Sequence, residues 1–152
     1  MARFPLEPIR GVLQRRTEDA ATALRRHGER KSQQEKRMEE LRTFRREYLE
    51  QRGALLAQGT TASRLRDFEG FIRRLDEAIA VQEKEVERAR ALWDGARQFW
   101  ETQRQKERAI DVLADRHAEG ELERESRLEQ KHTDEFASRA DRDGAARTKG
   151  RG

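Results

Sequence analysis

A regular alternation of three-residue and four-residue steps runs through the second half of the chain, from Leu65 to His117. The sequence there reads LRDFEGFIRRLDEAIAVQEKEVERARALWDGARQFWETQRQKERAIDVLADRH. The spaced positions are Leu65, Phe68, Ile72, Leu75, Ile79, Gln82, Val86, Ala89, Trp93, Ala96, Trp100, Gln103, Glu107, Ile110, Ala114 and His117. Twelve of these sixteen residues are apolar. Apolar residues at this spacing line one narrow face of a helix, which predicts a coiled-coil seam.

The composition agrees with long helices and excludes a thick globular core. Charged residues make up 42% of the 152-residue chain, and only two prolines interrupt it. Such helices bury one stripe and leave the remaining surface in water. A rod of this kind offers no cleft that excludes water, so we predict a protein that is not an enzyme and has no catalytic residues.

Charge and residue usage argue against several further classes. The 34 basic and 30 acidic residues are interspersed, so nucleic acid is not a predicted partner. The chain has no cysteine, and its three histidines are too far apart in sequence to form a ligand set. We therefore expect no metal site and no cofactor.

Hydropathy predicts no direct membrane insertion and no signal peptide. No segment approaches the roughly 18 apolar residues of a membrane span. A cytoplasmic location is expected, and any membrane contact would be made through a partner.

Helix-breaking and capping residues predict one domain over residues 1–140, made of two helices and a turn. Pro8 suits the first turn of helix 1, which is predicted over about 8–51. Gly53 and Gly59 place the turn at about 52–61, and Thr61 or Ser63 can cap helix 2, predicted over about 62–140. Residues 141–152 are expected to form a disordered tail.

The register of an antiparallel hairpin follows from its seam residues. If Tyr48 lies near Phe68, then Gln34 lies opposite Gln82, and polar seam residues are tolerated when they meet such a partner. The same register leaves helix 2 without a partner from about Ala109 onward. The fold class predicted is thus all-α, a long two-helix antiparallel coiled-coil hairpin with a protruding C-terminal helix.

Two groups of apolar residues are candidates for partner binding. Phe71 lies beside the seam and forms a strip with Leu75, Ala78 and Gln82, for which docking and packing at the core edge are both open. Leu128 and Phe136 lie within about 80° of each other on helix 2, beyond its predicted pairing.

Trp93 and Trp100 lie one heptad apart on the seam. They are predicted to fill space opposite small residues of helix 1, and a binding hot spot is the alternative.

Two motifs resemble the flagellar type III export protein FliJ family. One is the turn followed by Glu69-Gly-Phe71-Ile72-x-x-Leu75-x-x-Ala78-Ile79, and the other is a closing motif, Leu128-x-Gln130-Lys131-x-x-Asp134-Glu135-Phe136-Ala137-x-Arg139. The resemblance covers roughly residues 11–140. It departs from the family at Gly70, where a glutamine is usual.

This resemblance implies a component of the flagellar export apparatus, similar in shape to the central stalk of rotary ATPases. It implies as partners the hexameric export ATPase and its regulator, the export gate membrane protein and export chaperones. It also implies a monomer located at the cytoplasmic face of the inner membrane, beside the flagellar basal body. Carried over, the gate contacts are Phe71, Leu75, Ala78 and Gln82. The contacts with the ATPase ring are assigned to Leu128, Gln130, Lys131, Asp134, Glu135, Phe136 and Arg139.

Three other readings stay open from the sequence. One is the equivalent stalk of a virulence type III secretion system, and another is a structural coiled coil that forms a parallel homodimer through Trp93 and Trp100. A nucleic-acid-binding rod is the third, and its affinity would fall steeply with salt.

Overall fold

A computed structural model of the chain describes residues 2–150. It contains two helices, α1 (Glu7–Gln58) and α2 (Ala62–Lys149), and no strand occurs within the described residues. The two helices pack against each other, which confirms the predicted all-α helical hairpin. The described residues divide into two compact units, one spanning Arg15–Arg104 and the other combining residues up to Gln14 with those from Gln105 onward.

The ends of the helices follow from their capping residues. Pro8 occupies the first turn of α1, where a missing N–H group removes no helical hydrogen bond. Gly59 has a φ of 87°, a left-handed conformation that ends α1 and that glycine adopts without strain. Thr61 caps α2, because its Oγ1 accepts a hydrogen bond of 3.2 Å from the backbone N–H of Arg64.

The predicted end of helix 1 at residue 51 is wrong. The helix continues through Gly53 to Gln58, so the turn comprises residues 59–61 only. A glycine within an exposed helix weakens it by about 1 kcal/mol but does not by itself terminate it. Nothing lies within 4 Å of the position a Cβ of Gly53 would occupy, so no close approach requires glycine there.

In the unit Arg15–Arg104 the two helices run antiparallel with the predicted register. The rings of Tyr48 and Phe68 lie 5.8 Å apart, and the side chain of Gln82 is hydrogen-bonded to Gln34. The buried residues of this unit all come from the two seams and are Ala20, Gln34, Met38, Ile72, Leu75, Val86, Ala89 and Gln103. Burial of this single stripe supplies the apolar contribution to pairing.

In the other unit, α2 stays packed beyond the point at which the sequence predicts that it projects alone. Arg10 Nε donates a 2.9 Å hydrogen bond to Asp111, and the ring of Phe4 lies 5.6 Å from that of His117. Ile110 and Ala114 are buried. Pairing extends further than predicted because the first turn of α1 and Phe4 before it both contact α2.

The last part of α2 is helical but has no packed face. From Leu122 to Thr148 every side chain is exposed, and Glu123 and Arg127 form an ion pair at 4.0 Å. The helix continues to Lys149, past the predicted end at about 140, so residues 141–149 are helix and not disordered tail. Residues 151 and 152 of that predicted tail lie outside the described residues.

Candidate functional site

The four residues of the Phe71 strip have different environments in the structure. The ring of Phe71 is stacked on Tyr48 of α1, with centroids 4.2 Å apart and planes inclined by 26°. Leu75 is buried in the seam, with 8% of its surface exposed. Ala78 is exposed on the outer side. The strip therefore combines core-edge packing and an accessible surface, the two roles left open by the sequence.

Gln82 is engaged within the helix pair. Its Nε2 donates hydrogen bonds to the side-chain oxygen of Gln34 at 2.7 Å and to the backbone oxygen of the same residue at 3.0 Å. Gln34 is buried, so this contact satisfies polar groups that would otherwise be costly to remove from water. The visible role of Gln82 is thus to fix the register.

The structure adds Phe44 to the strip, which sequence analysis missed. Its ring is stacked on Tyr48 at 5.6 Å, and 48% of its surface is exposed. A shallow groove beside it is lined by Arg37, Glu40, Leu41, Phe44, Leu75 and Gln82. The signal was present in the sequence, because Arg45 continues the three- and four-residue steps of the helix 1 seam (Met38, Leu41, Arg45, Tyr48). Phe44 directly precedes Arg45 just as Phe71 precedes Ile72.

The closing motif lies on the unpacked part of α2. Leu128 and Phe136 are 57% and 77% exposed, unusually high for large apolar residues. Its polar members Gln130, Lys131, Asp134, Glu135 and Arg139 are all exposed, and they line one shallow polar face together with Arg127, Ser138 and Arg142. The motif therefore presents an apolar edge beside a charged one, which suits reversible binding of another protein.

Trp93 fills space opposite a small residue, as predicted. A Cβ added at Gly28 would lie 3.5 Å from Nε1 of Trp93, so the indole packs closely against the backbone of α1. Lys31 Nζ lies 4.5 Å from the ring centroid of Trp93, and the Arg104 guanidinium lies 5.0 Å from that of Trp100. These cation–π contacts shield the outer faces of the indoles.

Neither a metal-binding group nor a membrane-spanning helix is found in the described part of the chain. No set of three or more His, Asp or Glu side chains within residues 2–150 could hold a metal ion. No helix there combines the length and apolar character needed to cross a membrane.

Comparison with known proteins adds the family. The family model described as flagellar FliJ protein matches residues 1–145. The chain belongs to the FliJ family. The flagellar FliJ proteins of Escherichia coli K12 and Salmonella typhi are 28% and 27% identical to it, each over 135 residues that cover 89% of this chain and 92% of the relative.

A solved structure has the same fold. It is that of a protein described as a YscO homolog, CT670, from Chlamydia trachomatis, with a TM-score of 0.62 over 91% of this chain and 94% of that one. Its sequence identity of 20% supports the helical fold alone. Membership of the FliJ family places the chain in flagellar type III protein export.

Proposed function

We propose that this protein is the non-enzymatic stalk component of the flagellar export apparatus, and that the closing motif binds the ring of the export ATPase. Family membership supports the choice of apparatus. The observation that carries the proposal is the exposure of Leu128 and Phe136 on the last part of α2, where every side chain from Leu122 to Thr148 is exposed. Large apolar groups kept in water on one side of a helix are typical of a helix that binds in a groove.

The proposed mechanism needs no chemistry from the chain itself. A stiff asymmetric helix inside a ring of identical subunits contacts them unequally. Whichever subunit conformation it contacts better is favoured, so the stalk can promote ring assembly or nucleotide turnover. The exposed charges of the closing motif hold weakly, which permits exchange between subunits.

The Phe71 strip is proposed to contact the export gate membrane protein. Phe44, Phe71 and Ala78 provide accessible apolar surface there, and Leu75 and Gln82 support it from the seam. The protein would act in the cytoplasm, at the basal body on the cytoplasmic face of the inner membrane. Contacts with the ATPase regulator and escort of export chaperones belong to the same proposal.

ATP hydrolysis by the matching export ATPase, measured with and without the chain, tests the stalk assignment. We expect stimulation by the full chain, and its loss in the double variant Leu128→Ala, Phe136→Ala. Thr133→Ala is the matched control, because Thr133 lies on the same exposed segment and its hydroxyl bonds only its own helix backbone. Equal stimulation by the double variant and the control would contradict the assignment to the closing motif.

Binding to the soluble domain of the gate protein tests the second contact. A carboxylate introduced by Ala78→Asp should reduce affinity by about tenfold or more, because it places an unpaired charge in an apolar contact. Ala80→Asp introduces the same charge two residues away on another face of the exposed helix surface. Equal loss in both variants would remove the Phe71 strip from the proposal.

Solution mass separates this proposal from a structural homodimer. The proposed stalk is a monomer alone, because its seam is already filled within one chain. Light scattering should therefore give the mass of a single 17.9 kDa chain. A stable dimer without stimulation of the ATPase would favour the structural coiled coil.

A further inference from the structure

The two sides of the seam in the unit Arg15–Arg104 differ in chemistry. On one side, which we call the ion-paired flank, α2 residues that directly follow seam positions pair with α1. The pairs are Glu69 with Arg52 at 3.1 Å, Asp76 with Arg45 at 2.5 Å, Glu83 with Arg42 at 3.9 Å and Arg90 with Glu35 at 3.1 Å. In these cross-helix ion pairs, the charged groups of this flank bind each other.

The other side, which we call the apolar flank, is formed by α2 residues that directly precede seam positions. These residues are Phe71, Ala78, Glu85, Leu92 and Phe99, spaced by seven. Leu92 and Phe99 are 52% and 56% exposed. They lie beyond the Phe71 strip along the same flank, and neither the seam nor the proposed gate contact accounts for their exposure.

Contacts near the turn identify the α1 residues on the apolar flank. Phe44 and Phe71 each precede a seam position and both stack on Tyr48. By the heptad repeat from Phe44, the same flank of α1 carries Arg37, Arg30, Ala23 and Arg16, and Arg26 lies between Ala23 and Arg30 one helical turn away. The apolar flank near Leu92 and Phe99 is thus bordered by arginines of α1.

These arginines have no acidic partner. Neither Arg26 nor Arg30 lies within 4.0 Å of a carboxylate among residues 2–150, in contrast to the arginines of the ion-paired flank. Glu85, the acidic member of the α2 stripe, is engaged by Arg88 at 2.9 Å. Asp19, one heptad before Arg26, is an exposed carboxylate on the same side of α1, and the border near Leu92 carries the two arginines.

Gly95 leaves the helix surface between Leu92 and Phe99 without a side chain, and we call this gap the recess. A Cβ at this position would meet nothing within 4 Å, and the three residues follow each other at steps of three and four. Two large apolar side chains on either side of a glycine form a hole into which a side chain of another helix can insert.

We propose that Leu92, Gly95 and Phe99, bordered by Arg26 and Arg30, dock an amphipathic helix of a partner protein whose apolar stripe is flanked by Asp and Glu. The apolar stripe would fill the recess, and the carboxylates would pair with the two free guanidinium groups. This surface lies outside the closing motif and the Phe71 strip, and the proposal does not depend on either contact.

Charge complementarity favours this occupant over a second copy of the chain. A two-fold dimer uses the same patch on both copies, so it would gather Arg26 and Arg30 of each copy on one small surface. Like charges brought together at a desolvated contact oppose association.

Fluorescence anisotropy with designed helical peptides tests the proposal on the full chain. The first probe is a labelled peptide with a leucine heptad stripe flanked by glutamates, and the second replaces those glutamates with lysines. We expect the glutamate peptide to bind at least about tenfold more tightly, with affinity that falls as salt rises. Equal binding of both peptides, or binding of neither, would overturn the proposal.

Paired variants assign the binding to this surface. Leu92→Asp and Arg26→Glu should each weaken the glutamate peptide by about tenfold. Their controls, Ala91→Asp and Arg25→Glu, make the same changes at adjacent exposed positions that point to another face. Circular dichroism melts of all four variants verify folding, and equal losses in variants and controls would contradict the assignment.

Light scattering without peptide examines the competing occupant. A monomer agrees with the proposal. A dimer that Leu92→Asp dissociates and Ala91→Asp does not would show that a second copy occupies the surface, and would overturn it.

Discussion

The stretch Leu65–Arg104 of α2 and the stretch from Leu122 to Thr148 are both continuous helix, yet their side chains meet different surroundings. In the first, every seam residue is buried or half-buried against α1. In the second, every side chain is exposed. The two stretches therefore differ in what stabilises them and not in secondary structure. The first is stabilised by burial of a stripe, whereas the second depends on local propensity and on whatever binds to it.

Truncation of a buried seam side chain should lower the free energy of unfolding more than any other change considered. Leu75→Ala removes a leucine that is 8% exposed, and it should lower the free energy of unfolding by about 2–5 kcal/mol. Leu128→Ala removes the same atoms from an exposed site and should change it by less than about 0.5 kcal/mol. Urea unfolding followed by circular dichroism measures both, and similar values would show that the seam is not the source of stability.

Substitution of the paired glutamines Gln34 and Gln82 should have the next largest effect on the free energy of unfolding. Gln34→Ala removes the side-chain oxygen that accepts from Gln82 and leaves only the backbone oxygen of residue 34 as acceptor, so it should destabilise the chain by about 0.5–1.5 kcal/mol. Replacing both by leucine should be nearly neutral or stabilising, because no polar group is then left unpaired. A double-mutant cycle without coupling between the two positions would contradict their role in the register.

The seam and its register could be predicted because they depend on residue spacing alone. Tyr48 with Phe68 and Gln34 with Gln82 follow from one antiparallel alignment, and both contacts are present. The end of α1 could not be predicted from spacing. Gly53 and Gly59 are the same residue in sequence, and only the chain reversal that Gly59 makes possible distinguishes them.

The candidate site was only partly predictable for a related reason. Phe71 was recognised as lying beside the seam, but its stacking on Tyr48 depends on the distance between the two helices. Leu92 and Phe99 each occupy the same heptad position as Phe71, but a single sequence does not show which such residues a neighbouring helix covers. The packing of Phe4 on His117 depends on how residues before α1 turn, and spacing carries no information about this.

The ion-paired flank should contribute less than the seam. Arg45→Ala removes the pair with Asp76, in which both side chains remain substantially exposed, so we expect a loss of about 0–1 kcal/mol. That loss should shrink as salt is raised, because exposed pairs are screened. Arg37→Ala is the control, since Arg37 forms no ion pair among the described residues. If Arg45→Ala lowered the free energy of unfolding by more than about 1 kcal/mol, the ion-paired flank would be a main determinant of stability.

The smallest effect on stability should come from the largest deletion. A chain ending at Ser126 keeps Arg124, which pairs with Glu121 at 3.0 Å, and removes only residues whose described side chains are exposed. Its free energy of unfolding should therefore match that of the full chain within about 0.5 kcal/mol. Stimulation of the export ATPase should nevertheless be lost with the closing motif. If the shortened chain instead melts at a lower temperature than the full chain, the end of α2 contributes to the stability of the fold. The exposure of Leu128 and Phe136 would then not identify a segment that serves binding alone.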